Sequence, residues 1–283
     1  MQSEIIPIKN VIPESKIIVF SPHFDDFLFM LGGYVTELKS SHLLESKSFH
    51  LNILFSRSNY LARTGDQNSD NSLDRLKLAT GKRLMEDQKC NEALLGRFNY
   101  RYELSDENEC MTRGKGFAKD AMEFPHGMYE DFNQEDEDIF ERMKNRIRYW
   151  SSFTDTALIF PMAFREHIDH FIVREAALAV AKEKGDQAGA AFYFQEDKPY
   201  SGLATTVEMD RANKFISDNQ LEVRTYEYNP QTLIEYAFGF YISQVEDIYK
   251  TGILDRSAFL QQSMNAERPC DRIYLLNKRI ARK

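Results

Sequence analysis

Six histidines are spread over the 283 residues, and three of them sit beside carboxylates in two short segments. One segment reads Ser21-Pro22-His23-Phe24-Asp25-Asp26-Phe27 and the other Arg165-Glu166-His167-Ile168-Asp169-His170. Imidazole nitrogen and carboxylate oxygen hold zinc and other divalent ions, and the same groups move protons near neutral pH. The adjacent Asp25 and Asp26 do not suit a glycosidase pair. Consecutive side chains in extended backbone point to opposite sides, whereas that chemistry needs two carboxyls facing one bond about 5–10 Å apart. Two separate tasks suit them better: one can join His23 on a metal while the other faces a substrate. His23 and Asp26, three apart across a tight loop at a helix start, can both turn toward one point.

His167 and His170 are likewise three apart, so one helical turn sets them on one face. If His170 completes a His/Asp/His set, a ligand position is left for water. That suits catalytic Zn2+, with Fe2+ or another divalent metal also accepted. Water on such a metal has a pKa near ~7, which supplies a hydroxide equivalent. Asp25 can then take a proton, while His167 can stabilise an oxyanion or protonate a leaving group. Asp169 can hold His167 in one tautomer. Each residue also has a plainer reading. A lone histidine is more often packed or at the surface than bound to metal, and Asp26 can serve only as a helix cap.

The elements around these segments favour the site. The run 16–20 reads as a buried strand ended by Ser-Pro, followed by helical periodicity over 26–46 with Asp25 or Asp26 able to cap it. A strand at 50–55, a polar loop at 57–72, a helix at 73–95 stopped by Gly96 and a strand at 99–104 come next. The segment 105–136 is long, acidic and glycine-containing, as lids and binding segments are. Helices are expected at 137–150, 170–184 and 230–244, and strands at 156–160, 190–194, 221–228 and 272–276. The alternation predicts an α/β, Rossmann-like, mainly parallel sheet with helices on both faces, a single domain with its core at about 16–276. Ligands bind such sheets outside the carboxyl ends of the strands, where both histidine segments fall.

Composition narrows the function. A net charge of −8 without a basic cluster disfavours nucleic acid as a partner. Three scattered cysteines exclude a disulfide framework and a cysteine-rich zinc site. No apolar run approaches the length of a membrane span and no secretory leader is evident, so a cytoplasmic location is expected, with a homo-oligomer left open. GxSxG, HExxH and phosphate-cradling motifs are missing. Gly32-Gly33 lies inside the first long helix, where close contact with a neighbouring element explains it better than a dinucleotide loop.

At these residues the chain resembles the PIG-L/LmbE-like family of metal-dependent N-deacetylases, which act on N-acetylglucosamine-containing substrates. The family's strand followed by [AS]-H-P-D-D-E and Gly-Gly is similar to Pro22 through Phe27 with Gly32-Gly33, and its H-x-D-H to His167-Ile168-Asp169-His170. Weaker likenesses follow in order: Arg83 to Glu86 with Ala93 to Gly96, Asp197-Lys198-Pro199-Tyr200, and Tyr241-Ile242-Ser243-Gln244. The resemblance implies zinc ligation by His23, Asp26 and His170, with Asp25 as general base. It also implies His167 as oxyanion or acid partner supported by Asp169, and Arg83 as a contact to a small amino-sugar substrate. Arg165 stands where some members carry a tyrosine near the scissile amide, and an arginine can also steady an oxyanion. Phe24 and Phe27 replace the family's usual proline and glutamate. Neither position supplies a ligand or the base, so the implied zinc chemistry is expected to survive. Phe27 in place of the glutamate would change the surroundings of the ligands or the substrate. The implied activity is removal of an N-acetyl group from an amino-sugar conjugate. Its rivals are an inactive carbohydrate-binding protein on the same scaffold and a metal hydrolase of a different amide or ester.

Overall fold

The computed structural model describes residues 4–62, 70–97, 99–114 and 132–277, with the Glu166 side chain outside that set. Seven strands form one sheet: β1 (Lys16–Ser21), β2 (Ser48–Ile53), β3 (Tyr100–Leu104), β4 (Thr156–Pro161), β5 (Ala191–Gln195), β6 (Glu222–Glu227) and β7 (Cys270–Leu275). Their order is β3-β2-β1-β4-β5-β7-β6. The first five are parallel, while β7 runs antiparallel to both β5 and β6. The expected mainly parallel sheet is therefore observed, closed at one edge by an antiparallel pair.

The apolar run of β1 is continuous because it faces two cores. Ile17 and Val19 point into one, Ile18 and Phe20 into the other, and all four are buried. On the first face lie α1 (Ile8–Val11), α2 (Asp26–Ser40), the buried side of α3 (Leu73–Leu95), α8 (Pro230–Phe240) and α9 (Asp247–Met264). On the second lie α4 (Gln134–Ser151), α5 (Ile168–Lys184) and α7 (Thr206–Asp218). A single turn, α6 (Tyr200–Leu203), packs against α9. Among the described residues no helix is long and apolar enough to cross a membrane.

Several expectations shift. The helix expected over 26–46 ends at Ser40, because its last buried residue is Leu38 and the following segment is polar. Neither Asp25 nor Asp26 caps it through a side chain. Helices α7 and α9 were not anticipated, although α7 opens with a Thr205/Glu208 capping box, a readable signal. The glycine pair does mark close packing: a Cβ on Gly33 would lie 2.7 Å from the Tyr228 ring, and one on Gly32 the same distance from Leu233. Of the loops 57–72 and 105–136, residues 63–69 and 115–131 lie outside the described residues, as does His126.

Candidate active site

Strands β1 and β4 are neighbours in the sheet, so the segments that follow them emerge side by side at its carboxyl end. The first crosses from β1 to α2 within Pro22–Asp25 and carries His23 and Asp25, with Asp26 following as the first residue of α2. The second crosses from β4 to α5 through a strained turn in which Ala163 and Arg165 both have φ near 60°. Left-handed backbone at non-glycine residues costs on the order of 1–3 kcal/mol and persists only where its surroundings enforce it. Here the Phe164 amide donates to Asp197 Oδ2 at 2.6 Å.

Three donor atoms converge where the two segments meet. His23 Nδ1 and His170 Nε2 are 3.3 Å apart, and Asp26 Oδ2 lies 3.2 Å from the first and 3.1 Å from the second. Two ligands of a tetrahedral zinc, each about 2.0–2.1 Å from the ion, are separated by about 3.3 Å. The triangle thus has the edge length of one face of such a site. Each imidazole also presents its other nitrogen to a carboxylate: His23 Nε2 lies 2.9 Å from Asp169 Oδ2, and His170 Nδ1 lies 3.1 Å from Asp197 Oδ1. Those partners direct the remaining lone pairs at one point, as carboxylates behind metal-binding histidines do.

Charge agrees with the geometry. Burial opposes a charged His23, yet hydrogen bonds and charges from Asp169 and Asp26 outweigh it and hold the ring up to about 9. His170 is likewise raised against burial, by Asp26 and Asp197. Asp26 is held well below the carboxylate range in spite of its burial, chiefly by His170 and His23. The cluster stabilises positive charge at the triangle, as the donors of a cation should. His167 belongs to a looser group with His23 and His170, whose ligand atoms lie within 4.8 Å of one another, and Cys110, His167 and Asp169 form another. The first lacks the charge of Asp26. In the second, burial and Asp169 push the Cys110 thiol well above its ordinary range, away from a ligating thiolate.

His167 is tied differently from the sequence expectation. It caps α5: the Asp169 backbone N–H donates to His167 Nδ1 at 3.2 Å. A nitrogen that accepts a hydrogen bond carries no proton, so the neutral ring bears its proton on Nε2. Burial and the neighbouring His23 keep this ring neutral, well below its ordinary range. Asp169 sets the tautomer through its amide, while its carboxylate serves His23. That carboxylate also accepts from Arg113 at 2.7 Å and from the Cys110 amide at 3.0 Å, which docks the turn Cys110–Arg113 onto the site. Burial notwithstanding, Arg113 and His23 hold Asp169 far below the usual carboxylate range.

Asp25 faces the pocket beside the triangle. Burial and the charge of Asp26 push its carboxyl up, and Arg83, 3.5 Å away, pulls it back. Arg83 is nearly inaccessible, its hydrogen bonds committed to Gln244, Ser58 and Glu109. It borders the pocket as a brace behind Asp25. Arg165 is outside the pocket lining and pairs with Glu208 at 3.3 Å, a consequence of the left-handed turn it occupies. Phe24 and Phe27 are fully buried, Phe27 edge-on to Phe49 in the first core, and neither lines the pocket.

Sequence reasoning gave no role to Asp197, although it stands two residues beyond β5, a third carboxylate at a strand's carboxyl end. It also overlooked the aromatic wall of Phe29, Tyr60, Tyr200 and Tyr249, whose members come from four separate elements and share no spacing.

No family model matches the chain, and no curated protein matches it. Solved structures do. Teicoplanin deacetylase in a zinc-inhibited form superimposes with a TM-score of 0.59 at 13% identity, covering 92% of this chain and 97% of that one. The N,N'-diacetylchitobiose deacetylase of Pyrococcus horikoshii does so with a TM-score of 0.51 at 14% identity, covering 96% and 88%. At these identities the likeness concerns the fold, which spans nearly the whole of each chain.

Proposed function

We propose that this chain is a metal-dependent hydrolase that removes an N-acetyl group from an N-acetylglucosamine-type conjugate, giving acetate and a free amine. The observation that carries the reading is the triangle of His23 Nδ1, Asp26 Oδ2 and His170 Nε2, with edges of 3.1–3.3 Å, beside Asp25 in the lining of the same pocket. The fold shared with a teicoplanin deacetylase and an N,N'-diacetylchitobiose deacetylase supports it. His23, Asp26 and His170 would hold the ion, for which zinc is the first candidate. When bound, it supplies Lewis acidity that acidifies water and polarises the amide carbonyl.

The chain's own residues supply the rest. Asp25, braced by Arg83, accepts the proton of the attacking water and returns it to the departing nitrogen as the C–N bond breaks. His167, neutral with its proton on Nε2, donates to the carbonyl oxygen as negative charge develops there. Asp169 and Asp197 keep His23 and His170 aimed. Arg83 borders the pocket, and the oxyanion role falls to His167 rather than Arg165, which pairs with Glu208.

The decisive experiment is metal analysis of the purified protein together with acetate release from a panel of N-acetylglucosaminides and other acyl amides and esters. Stoichiometric metal with acetate release confirms the reading. Saturable sugar binding without acetate release overturns it in favour of an inactive carbohydrate-binding protein.

A further inference from the structure

Asp87 is a fully buried carboxylate that the reaction above does not use. It projects from α3 toward the back of the segment carrying His23 and Asp25. The Tyr102 hydroxyl donates to its Oδ2 at 2.5 Å and the Tyr241 hydroxyl to its Oδ1 at 2.6 Å. The same Tyr241 hydroxyl lies 3.5 Å from the Phe24 carbonyl oxygen, the outer limit of a hydrogen bond.

A phenol has one proton to give. While Asp87 is ionised, the protons of Tyr102 and Tyr241 both go to it, and the Phe24 carbonyl receives none from Tyr241. When Asp87 takes a proton on Oδ1, the oxygen that faces Tyr241, its own O–H donates to the Tyr241 oxygen. The Tyr241 proton is then released to turn to the Phe24 carbonyl, a stronger acceptor than the Cys90 sulfur that also lies within its reach. The two protonation states of Asp87 therefore differ by one hydrogen bond to the backbone between His23 and Asp25.

The groups facing Asp87 leave it without a cation. They are Tyr100 and Tyr102 from β3, Tyr241 at the residue after α8, Cys90 and Asn91 on its own helix and Asp25 across the loop. No ion pair among the described residues includes it. Burial accordingly pushes its carboxyl up to about 7 despite the hydrogen bonds from Tyr102 and Tyr241 and the pull of the Asn91 side chain, and the charge of Asp25 adds to the rise. The exchange of partners thus falls within the neutral range.

We propose that Asp87 is a proton-controlled positioning residue for the loop carrying His23, Asp25 and Asp26, acting through the Tyr241 hydroxyl on the Phe24 carbonyl. Only its kinetic consequence rests on the hydrolase reading; the loop itself can be followed without substrate. Asp87→Asn is isosteric and stays in the neutral state at every pH. Tyr241→Phe removes the link while keeping the ring.

Hydrogen–deuterium exchange of the peptide covering this loop is compared among wild type and both variants at about pH 6 and about pH 8, on either side of the switch. Relative to wild type, Asp87→Asn should exchange equally at the lower pH and about threefold more slowly at the higher one, the lower end of one neutral hydrogen bond. Tyr241→Phe should exchange about threefold faster at the lower pH and equally at the higher. Ratios to wild type that do not change with pH overturn the proposal, since a merely structural role would give that result. If Asp87→Asn fails to fold, the Tyr241→Phe ratios decide alone. Where acetate release is measurable, kcat ratios should show the mirror pattern. A wild type that releases no acetate breaks the hydrolase reading, and the exchange ratios still decide this one.

Discussion

Two buried charge clusters lie back to back at the end of β5, and they are built on opposite rules. Asp197 turns toward the pocket and meets His170, whereas Glu196 and Lys198, its neighbours in sequence, turn the other way. On that other side every charge has a counter-charge: Glu196 pairs with Arg256 and Lys198 with Asp271. On the pocket side Asp26 and Asp197 have only histidines within ion-pair distance among the described residues. A buried ion is costly without an opposite charge. The first cluster is closed by an arginine and a lysine, while on the pocket side the counter-charge is only a proton on each histidine, which a metal ion can replace.

That contrast can be broken experimentally. The largest effect should come from removing the cation: chelation should abolish acetate release and readdition of zinc restore it, with the far-ultraviolet circular dichroism spectrum unchanged. Asp25→Asn should lower kcat about 10³-fold, or about 4 kcal/mol of barrier, while bound metal measured by mass spectrometry stays near one equivalent. If the metal is lost as well, Asp25 belongs with the ligands instead.

On the balanced side, Arg256→Met leaves Glu196 buried without its partner and should cost about 3 kcal/mol in urea unfolding, with metal content unaltered. In wild type, Arg256 overcomes the effect of burial and holds Glu196 down to about 2. This lies below the unfolded value of about 4.3, so the pair's stabilisation is present above that pH and is lost as the pH falls from there toward about 2. Wild type should show this acid-side decline and Arg256→Met should not. Asp197→Asn, by contrast, should leave the urea midpoint little changed and weaken metal binding about 10–100-fold, read by competition with a chelating dye. The smallest effect is expected at Phe27. Phe27→Leu should cost about 1 kcal/mol of stability and leave kcat unaltered, because the ring packs in the core against Phe49.

The same contrast separates what could be read early from what could not. His23 with Asp26, and His167 with His170, are each three apart on or beside one helix start, so local geometry makes them candidates in the linear chain. Asp197 acts across β4 and β5 on a histidine 27 residues away, and Arg113 acts on Asp169 from 56 residues away. No local period records such pairs. Asp169 was legible as a partner of the histidines, but not which histidine its carboxylate would serve. Arg165 looked suitable by type and position, and a left-handed backbone turned it to Glu208.

Legible in the linear chain were the strands, the longer helices between them except α7 and α9, the strand ends at which the two histidine segments stand, and the unlike tasks open to Asp25 and Asp26. Those follow from periodicity, turn residues and side-chain chemistry, which act over a few residues. Only the tertiary structure decided that β1 and β4 are adjacent, that three donors close to within 3.3 Å, and that His167 caps a helix while Asp169 and Asp197 aim the other two rings. It also decided which buried carboxylates received an arginine or lysine and which did not. Those outcomes depend on which distant elements share the low-dielectric interior, and that is set by packing both cores at once.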